Sequence, residues 1–153
     1  MLRFSRRLDY AILAISHLAS RFAAAPVSAR VLADATRIPG SILANILKDL
    51  THLGFVRSAR GVHGGYELAV APDELSIGQL VRALEGEMRL VECVPSSAAS
   101  AQPAMPSLCQ IESTCTMKTP LRRVHRRIQE VLDELTFDQL LAEAFASPVP
   151  PGF

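Results

Sequence analysis

Apolar positions along the start of the chain fall at helical spacing. Leu8, Ile12, Ile15, Leu18 and Phe22 recur every three or four residues, while Asp9, His17 and Arg21 interrupt the run on the other faces. This predicts an amphipathic first helix packed on a core, not an export or transit peptide, in spite of the positive charge ahead of it and the small residues after it. Ser28 then stands as cap before a short helix over Ala29 to Thr36, and Ile38-Pro39-Gly40 breaks it. Ser41 reads as a second cap, opening a helix whose Ile42, Ile46, Leu50 and Leu53 form an inward stripe and whose stop is Gly54. Two short helices about a tight turn make a helix-turn-helix.

After Gly54 the period changes from helical to alternating. FVRSAR and YELAV are strand candidates joined by Gly61-Val62-His63-Gly64-Gly65, a hairpin that would serve as a wing. A winged helix-turn-helix lays its second helix in the DNA major groove and its wing along the backbone or minor groove. The readers expected on the solvent face of that helix are Ser41, Asn45 and Lys48, and the wing contributes Arg57, Arg60 and His63. The alternative for Arg57 and Arg60 is a solvated strand-edge charge that discourages edge pairing, and Arg6 and Arg7 are candidate phosphate contacts or merely solvated.

A further capped helix starts after Ser76, with Ile77, Leu80, Val81 and Leu84 inward and its end near Gly86. A polar loop follows, aperiodic and expected to be mobile between Pro95 and Pro106. Thr119 and Pro120 restart a helix as cap and first-turn residue, and Leu121, Val124, Ile128, Val131 or Leu132, and Leu135 repeat along one side. A one-sided seam of that length suits packing against a second copy, with packing within the chain as the alternative. A two-fold dimer also reads a palindrome, a longer and more specific site than a single winged helix covers. Arg122, Arg123, Arg126 and Arg127 occupy the opposite face near the start of this helix, where cations oppose the helix dipole, so an anionic neighbour is expected, either DNA phosphate or acidic side chains.

Composition adds little until the cysteines are considered. The chain has 153 residues, with Lys+Arg 16 against Asp+Glu 15, so net charge neither favours nor disfavours nucleic acid. Its three cysteines, Cys93, Cys109 and Cys115, all fall in the one loop. Three thiolates cannot close a disulfide framework and are one ligand short of a four-coordinate metal site. A fourth ligand from a carboxylate, a histidine or a small molecule would leave the site exchangeable, which suits a sensor. The odd cysteine count points to a reducing compartment, the cytoplasm, and no segment is apolar enough to span a bilayer. No nucleophile-base constellation or phosphate-cradling loop points to an enzyme.

The order of these parts, over roughly residues 2 to 142, resembles the dimeric winged-helix transcription regulators that carry an iron-sulfur cluster, the family typified by IscR, NsrR and RirA. The resemblance is carried by LDYAILAISHLA, ARGVHGGYELA, LSIGQLVRALEG and CQIESTCTMKTPLRRV. It implies that Cys93, Cys109 and Cys115 bind the cluster. Fifteen residues separate Cys93 from Cys109, more than in compact members, whereas the five between Cys109 and Cys115 match the family. The IscR-like branch has a histidine three residues past the last cysteine, where this chain has Lys118. The NsrR-like branch takes its fourth ligand from an aspartate of the partner subunit, and the matching residue is Asp9, which can equally be read as a first-turn carboxylate on the helix dipole. His125 is a third candidate, expected on a solvated or partner-facing surface.

The expectation is therefore a mainly α chain with a small β-hairpin. Residues 1–86 form a winged helix-turn-helix domain, 87–118 the cysteine loop, 119–146 the long dimerisation helix and a C-terminal helix, and 147–153 a disordered tail. The chain is expected to be a homodimeric cytoplasmic repressor binding a palindromic double-stranded DNA operator. The resemblance implies an iron-sulfur cluster, 4Fe-4S ahead of 2Fe-2S, reporting nitric oxide, oxidative stress or iron-sulfur status. The alternatives are the same fold with a thiol switch or zinc site, or a winged module that binds no DNA.

Overall fold

The computed structural model describes residues 4–61, 64–88, 90 and 109–146. The elements are α1 (Arg6–Ala19), α2 (Ala29–Thr36), α3 (Gly40–His52), β1 (Val56–Ala59), β2 (Gly65–Leu68), α4 (Ile77–Glu85), α5 (Lys118–Glu134) and α6 (Phe137–Ala146). This is the mainly helical chain with one hairpin that the residue pattern predicts. The Pro95–Pro106 stretch, Cys93, His63 and the 147–153 tail lie outside the described residues.

Side-chain caps start four of the helices, Thr136 accepting from Gln139 N–H at 3.4 Å ahead of α6. Ser5, Ser28 and Ser76 accept from the backbone N–H three residues on, and at Ser76 the Gln79 side chain returns the bond to the cap N–H at 2.9 Å, closing a capping box. Two other expected caps are not caps. Helix α3 begins one residue before Ser41, because the Pro39 carbonyl accepts from both Ile42 and Leu43 and no side chain is needed. Likewise α5 begins before Thr119, with Met117 as its flanking residue and Leu121 N–H bonded to the Met117 carbonyl. The inward stripe of α3 is also rotated from the expected one. It comprises Leu43, Ile46, Leu47 and Leu50, spaced to stay on one face, while Ile42 and Leu53 are exposed. In α1, Leu8, Ile15 and Leu18 are buried and Ile12 partly so, but Phe22 lies beyond the helix end and is exposed.

The core joins α1, α2, α3 and α4 with the hairpin, and α6 adds fully buried Phe137. Strands β1 and β2 pair antiparallel in the register Val56↔Leu68 to Ala59↔Gly65. Val27 adds a bridge to Tyr66, with reciprocal bonds of 2.9 and 2.8 Å, so the wing is stitched to the chain entering α2. A side chain at Gly65 would place its Cβ 2.5 Å from the Val27 carbonyl, so only glycine allows that approach. Gly78 lets α5 approach α4 closely, since a Cβ there would meet the Asp133 carboxylate, and Arg82 bonds the same carboxylate at 2.6 Å. Ile77 N–H bonds the Leu135 carbonyl at 2.9 Å, which ties the start of α4 to the end of α5. The two helices thus run antiparallel, and the cysteine segment joins their opposite ends.

Candidate nucleic-acid interface and cysteine segment

Packing the Leu43–Leu50 stripe into the core turns the rest of α3 outward. Ser41, Asn45 and Lys48 are all exposed at helical spacing and share that outer face. Behind them a groove of about 820 Å³ runs between α3 and the hairpin, lined among others by Arg7, Lys48, His52, Ser58 and Tyr66. Its floor joins residues far apart in the chain, so His52, Ser58 and Tyr66 carry no local sequence signal of their place in it.

The arginines divide into different roles. Arg57 faces Glu67 across the hairpin register and donates to it from Nε at 2.8 Å, so its charge is shared within the wing. Arg60 is exposed at the end of β1. Arg7 is not a simple solvated cation: its guanidinium donates to Asp49 of α3 at 2.7 and 3.1 Å and to the Leu84 carbonyl at 3.3 Å. Arg6 is exposed.

Cys109 and Cys115 are half-buried, neither is in a disulfide, and they flank a tight turn that enters α5. The Cys109 carbonyl accepts from Glu112 N–H at 3.2 Å. The Glu112 carboxylate accepts from Lys118 at 2.6 Å and from Arg122 at 3.2 Å, which folds the turn onto the helix start. Glu112 is thus an anionic neighbour for the arginine-rich first turns of α5. Among the described residues no group of three or more His, Cys, Asp or Glu side chains converges as a metal site, and Cys93 is not among them. The two ends of this one turn nonetheless supply two soft thiol donors, the ligand type that suits a thiophilic metal group. Asp9 is exposed in the first turn of α1.

His125 departs from expectation. It is 5% exposed, with Nδ1 buried and, among the described residues, without a hydrogen-bond partner. Burial lowers its pKa below the usual 6.5, with the nearby Glu87 carboxylate pulling the other way. The packing of α5 on α4 brings this residue inward, beside the chain leaving α4, and the seam pattern alone could not show it. The next turns of α5 present an apolar groove of about 400 Å³, lined by Val124, Ile128, Val131 and Leu132 between Arg123 and Arg127.

A helix-turn-helix whose second helix shows a polar outer face beside a two-stranded wing defines a winged-helix DNA-binding protein. Residues 4–143 match the Rrf2 family, described as iron-dependent transcriptional regulators. The chain belongs to that family and is a transcription regulator, not an enzyme. It is 30% identical over 142 residues to the transcriptional repressor NsrR of Streptomyces coelicolor, covering 92% of this chain and 89% of that protein. A putative helix-turn-helix transcriptional regulator of Synechocystis is 38% identical over 84 residues, a match that spans 55% of this chain and 57% of the relative. Among solved structures, CymR, the global cysteine regulator of B. subtilis, superposes with a TM-score of 0.73 at 26% identity, covering 94% of this chain and 98% of that one. IscR of T. potens gives a TM-score of 0.71 at 26% identity, covering 99% and 94%. Among the described residues no helix is long and apolar enough to cross a membrane.

Proposed function

We propose that this regulator is a homodimeric repressor of a palindromic operator, and that its cysteines hold an iron-sulfur cluster, 4Fe-4S, through which it senses nitric oxide, oxidative stress or iron-sulfur status. Residues 1–86 serve as the DNA-binding unit, 87–118 as the cluster-binding segment and 119–146 as the dimerisation unit. Ser41, Asn45 and Lys48 read base edges, while Arg57, Arg60 and His63 of the wing contact the backbone or minor groove. The observation that carries the DNA reading is the outward face of α3, whose polar residues take no part in the core. The exposed apolar side of α5 supports a second copy as partner.

Cys93, Cys109 and Cys115 are the proposed ligands, with the partner's Asp9 as the fourth. Such a cluster supplies an iron open to nitric oxide or oxygen wherever its protein ligand is hard and weakly held. The thiolates of this chain supply tight soft donors, Asp9 a weak hard one, and Lys118 stands where an IscR-like chain has its histidine. In this arrangement only the dimer offers all four ligands, so cluster binding and dimerisation are linked.

The test is operator binding by anaerobically prepared protein, loaded and cluster-free, beside Cys109→Ser and Cys115→Ser. Both variants are expected to lose iron and sulfide, because oxygen replaces a soft thiolate, and to bind the operator as the cluster-free protein does. Retention of the cluster by either variant removes that cysteine from the site. The likeness to CymR favours one second reading, the same fold with its cysteines as a thiol switch or zinc site. Protein free of iron and sulfide whose operator affinity changes on thiol oxidation would establish it.

A further inference from the structure

Arg7 sits in the first turn of α1, two residues before Asp9, and every polar contact of its guanidinium leaves its own helix. Nη2 and Nε donate to one oxygen of Asp49, the neighbour of Lys48 on α3. Nη1 donates to the carbonyl of Leu84, one residue before the end of α4. That carbonyl is among those a helix end leaves without an intrahelical donor, so Arg7 serves in place of a cap. Ser5 Oγ donates to the carboxylate of Glu85, binding the same two helix ends a second time. After Glu85 the chain turns at Gly86 and passes through Glu87 toward Cys93.

Three parts of the molecule therefore meet at one side chain: the α3 turn carrying Lys48, the start of α1 carrying Asp9, and the end of α4 that leads into the cysteine segment. A guanidinium fork suits this junction because it holds acceptors in fixed directions, which a flexible ammonium cannot. The side chains of Arg7 and Asp49 are 48% and 39% exposed, so the pair contributes little to global stability. Its consequence is orientation.

We infer that Arg7 is a positioning residue that seats α3 against the end of α4, so that a change in the cysteine segment alters the presentation of Asn45 and Lys48 to DNA. The second half of this inference rests on the sensing function proposed above. The competing role is a phosphate contact, since Arg7 and Lys48 line the same groove. The two roles predict opposite signs for one substitution. Asp49→Asn removes a negative charge beside the DNA face and releases Arg7, so it strengthens binding if Arg7 contacts phosphate and weakens binding if the pair seats the helix.

The experiment measures operator affinity of wild type, Asp49→Asn and Arg7→Lys, each loaded and cluster-free, across a salt titration, with the charge-removing Arg7→Gln added to read the salt slope. The expected result is a loss of about three- to tenfold in affinity for Asp49→Asn and Arg7→Lys. Their melting temperature and salt dependence stay near wild type, and the ratio of loaded to cluster-free affinity moves toward one. Equal or tighter binding by Asp49→Asn, or a salt slope reduced by about one in Arg7→Gln, makes Arg7 a phosphate contact and overturns the inference. Weaker binding with the wild-type ratio intact overturns the coupling to the cysteine segment. A wild-type ratio of one defeats the sensing function itself, and the sign of the Asp49→Asn effect on the cluster-free protein then decides the seating role alone.

Discussion

Helix α3, with 13 residues, turns Leu43, Ile46, Leu47 and Leu50 into the core, whereas α5, with 17 residues, buries only His125 and leaves Val124 and Val131 at 52% and 60% exposure. Both helices are amphipathic, but among the described residues α3 finds apolar partners for its whole inward stripe, whereas α5 packs Leu132 on the core and leaves Val124 and Val131 uncovered. The difference separates two kinds of apolar face. One is completed by folding and frees its opposite side for DNA. The other, an apolar groove edged by Arg123 and Arg127, is left open by the described residues and is the face proposed to meet a second copy.

The contrast is broken most forcefully from the α3 side. Leu47 is fully buried, so Leu47→Ala is expected to cost about 2–5 kcal/mol of folding stability. Urea unfolding measures it, and a loss below about 1 kcal/mol would mean that α3 is not the anchored helix described. On α5 the expectation reverses. Val131→Asp places a charge in the proposed dimer seam and should weaken association by about 3 kcal/mol or more while the winged-helix core stays folded. Sedimentation equilibrium with circular dichroism separates the two effects, and an unchanged dimer would assign another face to the partner.

The smallest effect sharpens the contrast at the one α5 side chain that does turn inward. His125 has its pKa lowered by burial, so near neutral pH the folded protein holds it uncharged, while the unfolded chain takes up a proton near the usual 6.5. The unfolded state therefore binds more protons below that value. The contribution of His125 is fully present above pH 6.5 and is lost as the pH falls through 6.5 toward the lowered folded value. Thermal melts from about pH 8 to about pH 5 should show this loss in wild type and a flatter profile in His125→Gln. Identical profiles would place His125 in solvent.

These helices also mark how far the sequence is legible. The hairpin, the Ser28 and Ser76 caps, and the inward residues of α4 follow from local signals, because turn and cap chemistry act over three or four residues. The start of α3 does not, because the Pro39 carbonyl supplies the capping geometry that the residue pattern assigns to Ser41, and the apolar stripe turns with it. Arg7 shows the limit more clearly. Its partners lie 42 and 77 residues away, and nothing in RRLDY distinguishes an arginine that will bind phosphate from one that will fasten α3 to α4. For the candidate site, the outer face of α3 is legible from residue type and spacing, whereas the burial of His125 depends on how α5 lies against α4.

The proposed function turns on what the cysteines hold, and Mössbauer spectroscopy of iron-57-labelled protein purified without oxygen tests it most directly. The account predicts the signature of a 4Fe-4S cluster, with iron and sulfide in matching amounts, in the wild-type protein. A colourless protein without iron, or one with stoichiometric zinc in its place, would contradict it.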